Sequence, residues 1–135
     1  MNILQQQQDH IARIFEGKDN KNNICPVKDI IAAFSDKWSI YALLLLGQYE
    51  KMRFNEMRGE IKGISQRMLT VTLRSLEQYG LISRSIYNEI PPRVEYELTN
   101  LGVSLLQQLL NLACWAEENS NLLITARDNY NRNGD

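Results

Sequence analysis

Most of the chain carries apolar side chains at helical spacing, with one stretch of strict alternation. Over QRMLTVTLRSLEQ, residues 66–78, Leu69, Leu73 and Leu76 share one face, while Arg67, Thr70, Val71, Arg74 and Gln78 share the other. Ser65 is the expected cap of this helix and Gly80 its stop. Upstream, CPVKDIIAAF predicts a helix with Pro26 in its first position and Val27, Ile30, Ile31 and Phe34 facing inward. Ser35 is the expected cap of a second helix, buried through Trp38, Tyr41 and Leu43 to Leu46 and stopped by Gly47. KMRF reads as extended, NEMRGEI as a third helix capped by Asn55, and Lys62–Gly63 as a turn. After Gly80, LISRSIY is rich in β-formers and VEYELT alternates Val94, Tyr96 and Leu98 with polar residues, predicting a hairpin around NEIPPR with a basic tip.

The two ends are helical arms of different character. Ile3, Leu4, Ile11, Ile14 and Phe15 predict an amphipathic helix over about residues 3–16, followed by a loop at GKDNKNN. Thr99 caps a long helix in which Leu101, Leu105, Leu109, Leu112 and Ala116 form one stripe, widened by Val103, Leu106, Leu110 and Ala113. One domain covers one stripe, so the remainder predicts a second copy of the chain. The polar tail NSNLLITARDNYNRNGD is expected to be partly disordered at its end. The expected organisation is an arm and loop at 1–23, one domain at 24–119 including the dimerisation helix, and a tail at 120–135.

Composition narrows the class. A chain of 135 residues, 44% hydrophobic and 23% charged, suits one compact domain. No apolar run is as long as a membrane span and the amino terminus lacks secretory features, so a cytoplasmic location is expected and a membrane partner is not. Cys25 and Cys114 with the lone His10 are too few for a disulfide framework or an ordinary structural zinc site. No cofactor is expected. There is no glycine-rich phosphate loop and no recognisable nucleophile–base set, which argues against an enzyme.

The net charge of −1 conceals a segregation. Residues 51–93 hold Lys51, Arg53, Arg58, Lys62, Arg67, Arg74, Arg84 and Arg93 against Glu56, Glu60, Glu77 and Glu89, eight against four, a net +4 between acidic ends. The element order, mainly α with a small β-hairpin, is that of a winged helix-turn-helix, whose second helix enters the major groove. The polar side of residues 66–78 then faces DNA. Arg67 and Arg74 suit guanine edges or phosphates, Gln66 and Thr70 suit bases or backbone, and Val71 suits a thymine methyl group. Ser65 joins them at the helix start, Arg93 is placed to reach a minor groove or phosphate, and Arg84 and Lys62 support the backbone. Plain solvation is the bland alternative for any single arginine, and a winged helix that binds only protein is the competing class.

CPVKDIIAAFSDKWSIYALLLL, RFNEMRGEIKGISQRMLTVTLRSLEQYGLISR, PPRVEYELTNLG and the downstream Trp115 together closely resemble the HxlR-type bacterial transcriptional regulators, over about residues 24–119. The resemblance implies a winged-helix homodimer, dimeric through N- and C-terminal helices, that binds a palindromic double-stranded operator. It also implies, from a subset of that family, that Cys25 senses oxidants or electrophiles such as quinones and aldehydes, sometimes through a disulfide to the partner subunit. Local chemistry permits this, since Cys25 stands at a helix start with Lys28 one turn on. A packed, unreactive Cys25 is the other reading. Cys114 is expected to be a buried structural cysteine, or else to face the second subunit.

Overall fold

The computed structural model describes residues 3–134. Residues 1, 2 and 135, and the side chain of Ile3 on the predicted N-terminal stripe, lie outside the described residues. The order is α1 (Ile3–Glu16), α2 (Val27–Phe34), α3 (Lys37–Tyr49), β1 (Lys51–Arg53), α4 (Phe54–Glu60), α5 (Gln66–Gln78), β2 (Ile82–Tyr87), β3 (Arg93–Leu98), α6 (Asn100–Glu118) and α7 (Ser120–Arg132). The fold is mainly helical, as expected, and it is a winged helix-turn-helix. The hairpin, however, is part of a three-stranded antiparallel sheet in the order β1-β3-β2. Tyr96 in the central strand stands opposite both Met52 of β1 and Arg84 of β2. That pairing roots the wing in the segment that joins α3 to α4.

The core lies between α3, α4, α5 and the sheet. Leu43, Leu46, Met57, Leu69, Leu73, Leu76 and Ile82 are buried there, including the whole predicted inner face of α5. Each such side chain contributes roughly 1.5–3 kcal/mol through removal from water, so the orientation of α5 is fixed by its three leucines.

Several termini differ from the sequence expectation, each for a local reason. Asp36, not Ser35, caps α3: its carboxylate accepts from the Ser39 backbone N–H at 3.0 Å and the Ser39 hydroxyl at 2.8 Å. A carboxylate serves both donors at once, and Ser35 instead ends α2. The helix continues through Gly47 to Tyr49 before Glu50 turns at a φ of 63°. At Gly47 the absent side chain leaves room for Leu106 of α6. Nor is α3 buried all round, because α5, α6 and β3 cover only part of it; Ser39 and Ala42 are buried while Tyr41 and Leu44 are exposed. Asn55 falls inside α4, whose start is held by the Glu56 carboxylate accepting from the Arg53 N–H at 2.8 Å. Pro26 occupies the cap position of α2 rather than its first turn, so Cys25 lies one residue outside the helix.

The long C-terminal helix is the expected one, with the Thr99 hydroxyl accepting from the Gly102 N–H at 3.1 Å. Its predicted stripe is only partly covered: Leu105, Leu106 and Leu109 are half-buried, whereas Leu101, Leu112 and Trp115 are exposed. The tail is α-helical through Arg132 rather than disordered there, and Leu122, Leu123 and Ile124 of α7 are exposed. No single helix among the described residues is long and apolar enough to cross a membrane.

The GKDNKNN loop is built around one carboxylate. Asp19 accepts from the backbone N–H groups of Lys21 and Asn23, both at 2.9 Å. The Asn23 backbone hydrogen bond is the largest cause that holds its carboxyl below the ordinary value of 3.8. A depressed carboxyl contributes stability that is present above the unfolded value and lost as pH falls through the folded one. Amide exchange at Lys21 and Asn23 should therefore accelerate, relative to the intrinsic rate, only as the pH drops below 3.8; Asp19→Ala should remove that protection at every pH.

Candidate nucleic-acid interface

The helix-turn-helix consists of α4, a turn in which Gly63 takes a φ of 84°, and α5. Ser65 caps α5 as expected, its Oγ accepting from the Met68 N–H at 3.0 Å. The hydroxyl of Thr70 donates to the Gln66 carbonyl at 2.9 Å, which leaves its oxygen free to accept. With the leucines turned inward, Gln66, Arg67, Val71, Arg74 and Gln78 are exposed along one side and Thr70 is half-buried beside them. Val71 is 53% exposed and Met68, which the sequence reading passed over, is 39% exposed. The face thus alternates guanidinium groups with apolar patches, the mixture that base edges and methyl groups require. Arg67, Arg74 and Lys62 make no ion pair among the described residues.

Where α5 meets the wing, charges gather. Arg84 Nε on β2 lies 3.6 Å from Glu77 Oε2 on α5. Tyr96, from the central strand, lies within the fields of Arg84, Glu77 and Arg74. Burial pushes its hydroxyl above the ordinary 10.0, so it remains a neutral donor at physiological pH. The alternation marks Tyr96 only as an apolar strand position; its hydroxyl adds a polar group that feels charges of both the helix and the wing. Arg58 on α4 is a further exposed cation, visible in the sequence only as part of the local charge.

The wing tip is not basic. Arg93 is the first residue of β3, paired across the hairpin with Tyr87, and the intervening residues 88–92 carry only Glu89 as a charge. Arg93 is held at 3.4 Å by Glu89 and at 3.4 Å by Glu95, with its guanidinium 4.2 Å from the Tyr87 ring centroid. Its Nε is buried and forms an ion pair with Glu95 outside hydrogen-bond geometry. Two carboxylates and a ring draw the side chain back along the strand, so the fully exposed group at the tip is Ile90.

Cys25 is half-buried, and its backbone N–H donates to the Gly17 carbonyl at 2.7 Å. The Lys28 ammonium sits 5.1 Å from the Phe15 ring centroid, directed toward α1. Cys114 is exposed rather than buried, because the part of α6 that carries it extends past the core. The two thiols are both free.

A model of the HxlR-like helix-turn-helix family matches residues 33–123, from the end of α2 through α6 into α7. The chain belongs to the HxlR-like helix-turn-helix family. It is 38% identical over 107 residues to YybR, an HTH-type transcriptional regulator of Bacillus subtilis (strain 168), covering 78% of this chain and 83% of YybR. Among solved structures, the transcriptional regulator ytfH from Salmonella typhimurium is 31% identical with a TM-score of 0.69, covering 82% of this chain and 98% of that one. The redox regulator HypR in its reduced form is 37% identical with a TM-score of 0.68, covering 74% of this chain and 98% of that one. The HxlR-like chain is accordingly a transcriptional regulator and not an enzyme. The family match begins after Cys25, so it carries the helix-turn-helix but not the thiol.

Proposed function

We propose that this HxlR-like regulator acts in the cytoplasm as a homodimer on a palindromic double-stranded DNA operator, with the exposed side of α5 in the major groove. The observation that carries the reading is the two exposed guanidinium groups, Arg67 and Arg74, that make no ion pair among the described residues, on a helix whose other face is locked by Leu69, Leu73 and Leu76. Gln66, Thr70 and Val71 provide the hydrogen-bonding and methyl contacts between them, with the Ser65 hydroxyl at the helix start. Lys62, Arg84 and Arg93 serve phosphates; Arg84 does so by exchanging Glu77, a surface pair worth only about 0.2–1 kcal/mol, whereas Arg93 must leave the exposed Glu89 and the half-buried Glu95. Dimerisation supplies the second half-site. The exposed Leu4, Ile11 and Phe15 of α1, with Leu112 and Trp115 of α6, support the N- and C-terminal helices as the seam.

The test is a fluorescence titration against the promoter region beside the gene, at several salt concentrations. With about six phosphate contacts from the two copies, the affinity should fall with a log–log slope of about −5. A flat salt response, or equal affinity for unrelated DNA, would sink the proposal.

Regulation through Cys25 is part of the same reading. It is supported by the half-buried free thiol ahead of α2 and by the similarity to HypR, which is named a redox regulator. An oxidant or electrophile that modifies Cys25 would act on the seam between α1 and α2. Cys25→Ser is expected to bind the operator normally and to lose its response to diamide, while Cys114→Ser keeps the response. Gel shifts with and without diamide read both, and a Cys25→Ser protein that still responds excludes the thiol.

A further inference from the structure

We propose that the cleft between α2, the α5–β2 junction and α6 is a binding site for a neutral, largely apolar small molecule of one or two rings bearing a hydrogen-bonding group. The cavity measures about 390 Å³, at the small end of the roughly 300–1,000 Å³ typical of ligand sites. Ile30 and Phe34 form one wall, Tyr79 and Leu81 the back, and Leu105 the floor. The Phe34 and Tyr79 rings meet edge-on, 82° apart with centroids separated by 6.4 Å. Such a corner offers a planar guest one ring face and one ring edge.

Polarity and charge narrow the occupant further. No charged side chain lines the cavity, so an ion would lose hydration without compensation. The polar groups converge from the α6 side and the rim. Among the described residues the Gln108 amide has no hydrogen-bond partner, and Ser104 donates to the Leu101 carbonyl at 2.8 Å, leaving its oxygen free to accept. Together they suit one hydroxyl or carbonyl on an otherwise apolar guest. A helix from another protein is too large for this volume, and the cleft belongs neither to the α5 face nor to Cys25.

Its position also joins the two working parts of the fold. Tyr79 is the C-terminal cap of α5. The next residues are tied to the start of α6, where the Thr99 N–H donates to the Leu81 carbonyl at 3.1 Å and its hydroxyl to the Gly80 carbonyl. A guest wedged between α2, Tyr79 and α6 would bear on the recognition helix and the C-terminal helix together.

The experiment uses 2-naphthol as the probe, titrated without DNA into the 15N-labelled full chain and followed by amide shifts. Saturable shifts are expected at Ile30, Phe34, Tyr79 and Leu105. Ser104→Phe, which fills the cleft from the exposed side of α6, should abolish them, and Gln108→Ala should weaken binding about three- to tenfold by loss of one hydrogen bond. Absence of saturable shifts, shifts confined to the exposed faces of α1 or α7, or a Ser104→Phe protein that binds unchanged would each overturn the site. Lining amides that move with protein concentration but not with 2-naphthol would show that a second copy covers the cleft, which also overturns it. Because no DNA is present, failure here is distinct from failure of operator binding.

Discussion

Alanine at both Arg67 and Arg74 is expected to lower operator affinity by at least about 1,000-fold, to the level of binding to unrelated DNA. One arginine to a base edge is worth about 1–3 kcal/mol, and a dimer places four of these guanidinium groups on one site. The losses therefore reach the gap between specific and non-specific binding, typically 10³–10⁷-fold, and the floor set by phosphate contacts limits the fall. Stability should change by less than about 0.5 kcal/mol, because both side chains are exposed and make no ion pair among the described residues. Titration of wild type and variant against operator and scrambled DNA reads the first effect, and thermal melting reads the second. Unchanged operator affinity with an intact fold would remove α5 from the DNA contact.

The wing should behave differently. Arg84 is shared with Glu77, and Arg93 with Glu89 and Glu95. Each must give up a carboxylate to reach a phosphate, so its substitution costs the complex less than that of an arginine already free. The ordering expected from local charge is Arg67 and Arg74 first, Arg84 next, Arg93 last.

The sequence made the recognition helix legible because three independent signals agreed there: a three-leucine stripe, a serine cap and a glycine stop. Those signals are local, within four residues of one another, and the structure keeps all of them. What escaped the reading depends on distant parts of the chain. KMRF reads as extended, and β1 is a strand there, but its place at the sheet edge follows only from its pairing with VEYELT some forty residues later. The withdrawn position of Arg93 depends on Tyr87 and Glu95 across the hairpin and within the strand, and NEIPPR alone suggests a cation at the tip. The choice between Ser35 and Asp36 as a cap turns on the buried Ser39 hydroxyl, a demand that propensity does not register. In the tail, the polar composition obscured the Leu122, Leu123 and Ile124 run, and α7 follows α6 after a single non-helical residue, Asn119.

Gly102 tests the joint between the winged domain and its C-terminal helix, and the same substitution at a second glycine supplies the control. Gly102 is the third residue of α6 and is buried. A Cβ there would run into the Leu81 carbonyl oxygen, the acceptor of the Thr99 N–H, and would crowd the Leu98 side chain. Ordinary overpacking costs about 1–3 kcal/mol, and backbone cannot step aside as a side-chain tip can. Relief requires α6 to lift, which also strains the Thr99 cap, worth about 1 kcal/mol. Against this, alanine gains about 1 kcal/mol of helix propensity over glycine. The net expectation for Gly102→Ala is a loss of about 2–3 kcal/mol, or roughly 10 °C in melting temperature for a chain of this size. Gly59 is also helical, in α4, but a Cβ there meets nothing within 4 Å. Gly59→Ala should therefore keep the propensity gain and raise stability by about 0.5–1 kcal/mol. Opposite signs in paired melts would locate the cost in the Leu81 contact; a neutral Gly102→Ala would mean that α6 is not seated on that carbonyl, and that the rigid link between the recognition helix and the C-terminal helix does not exist.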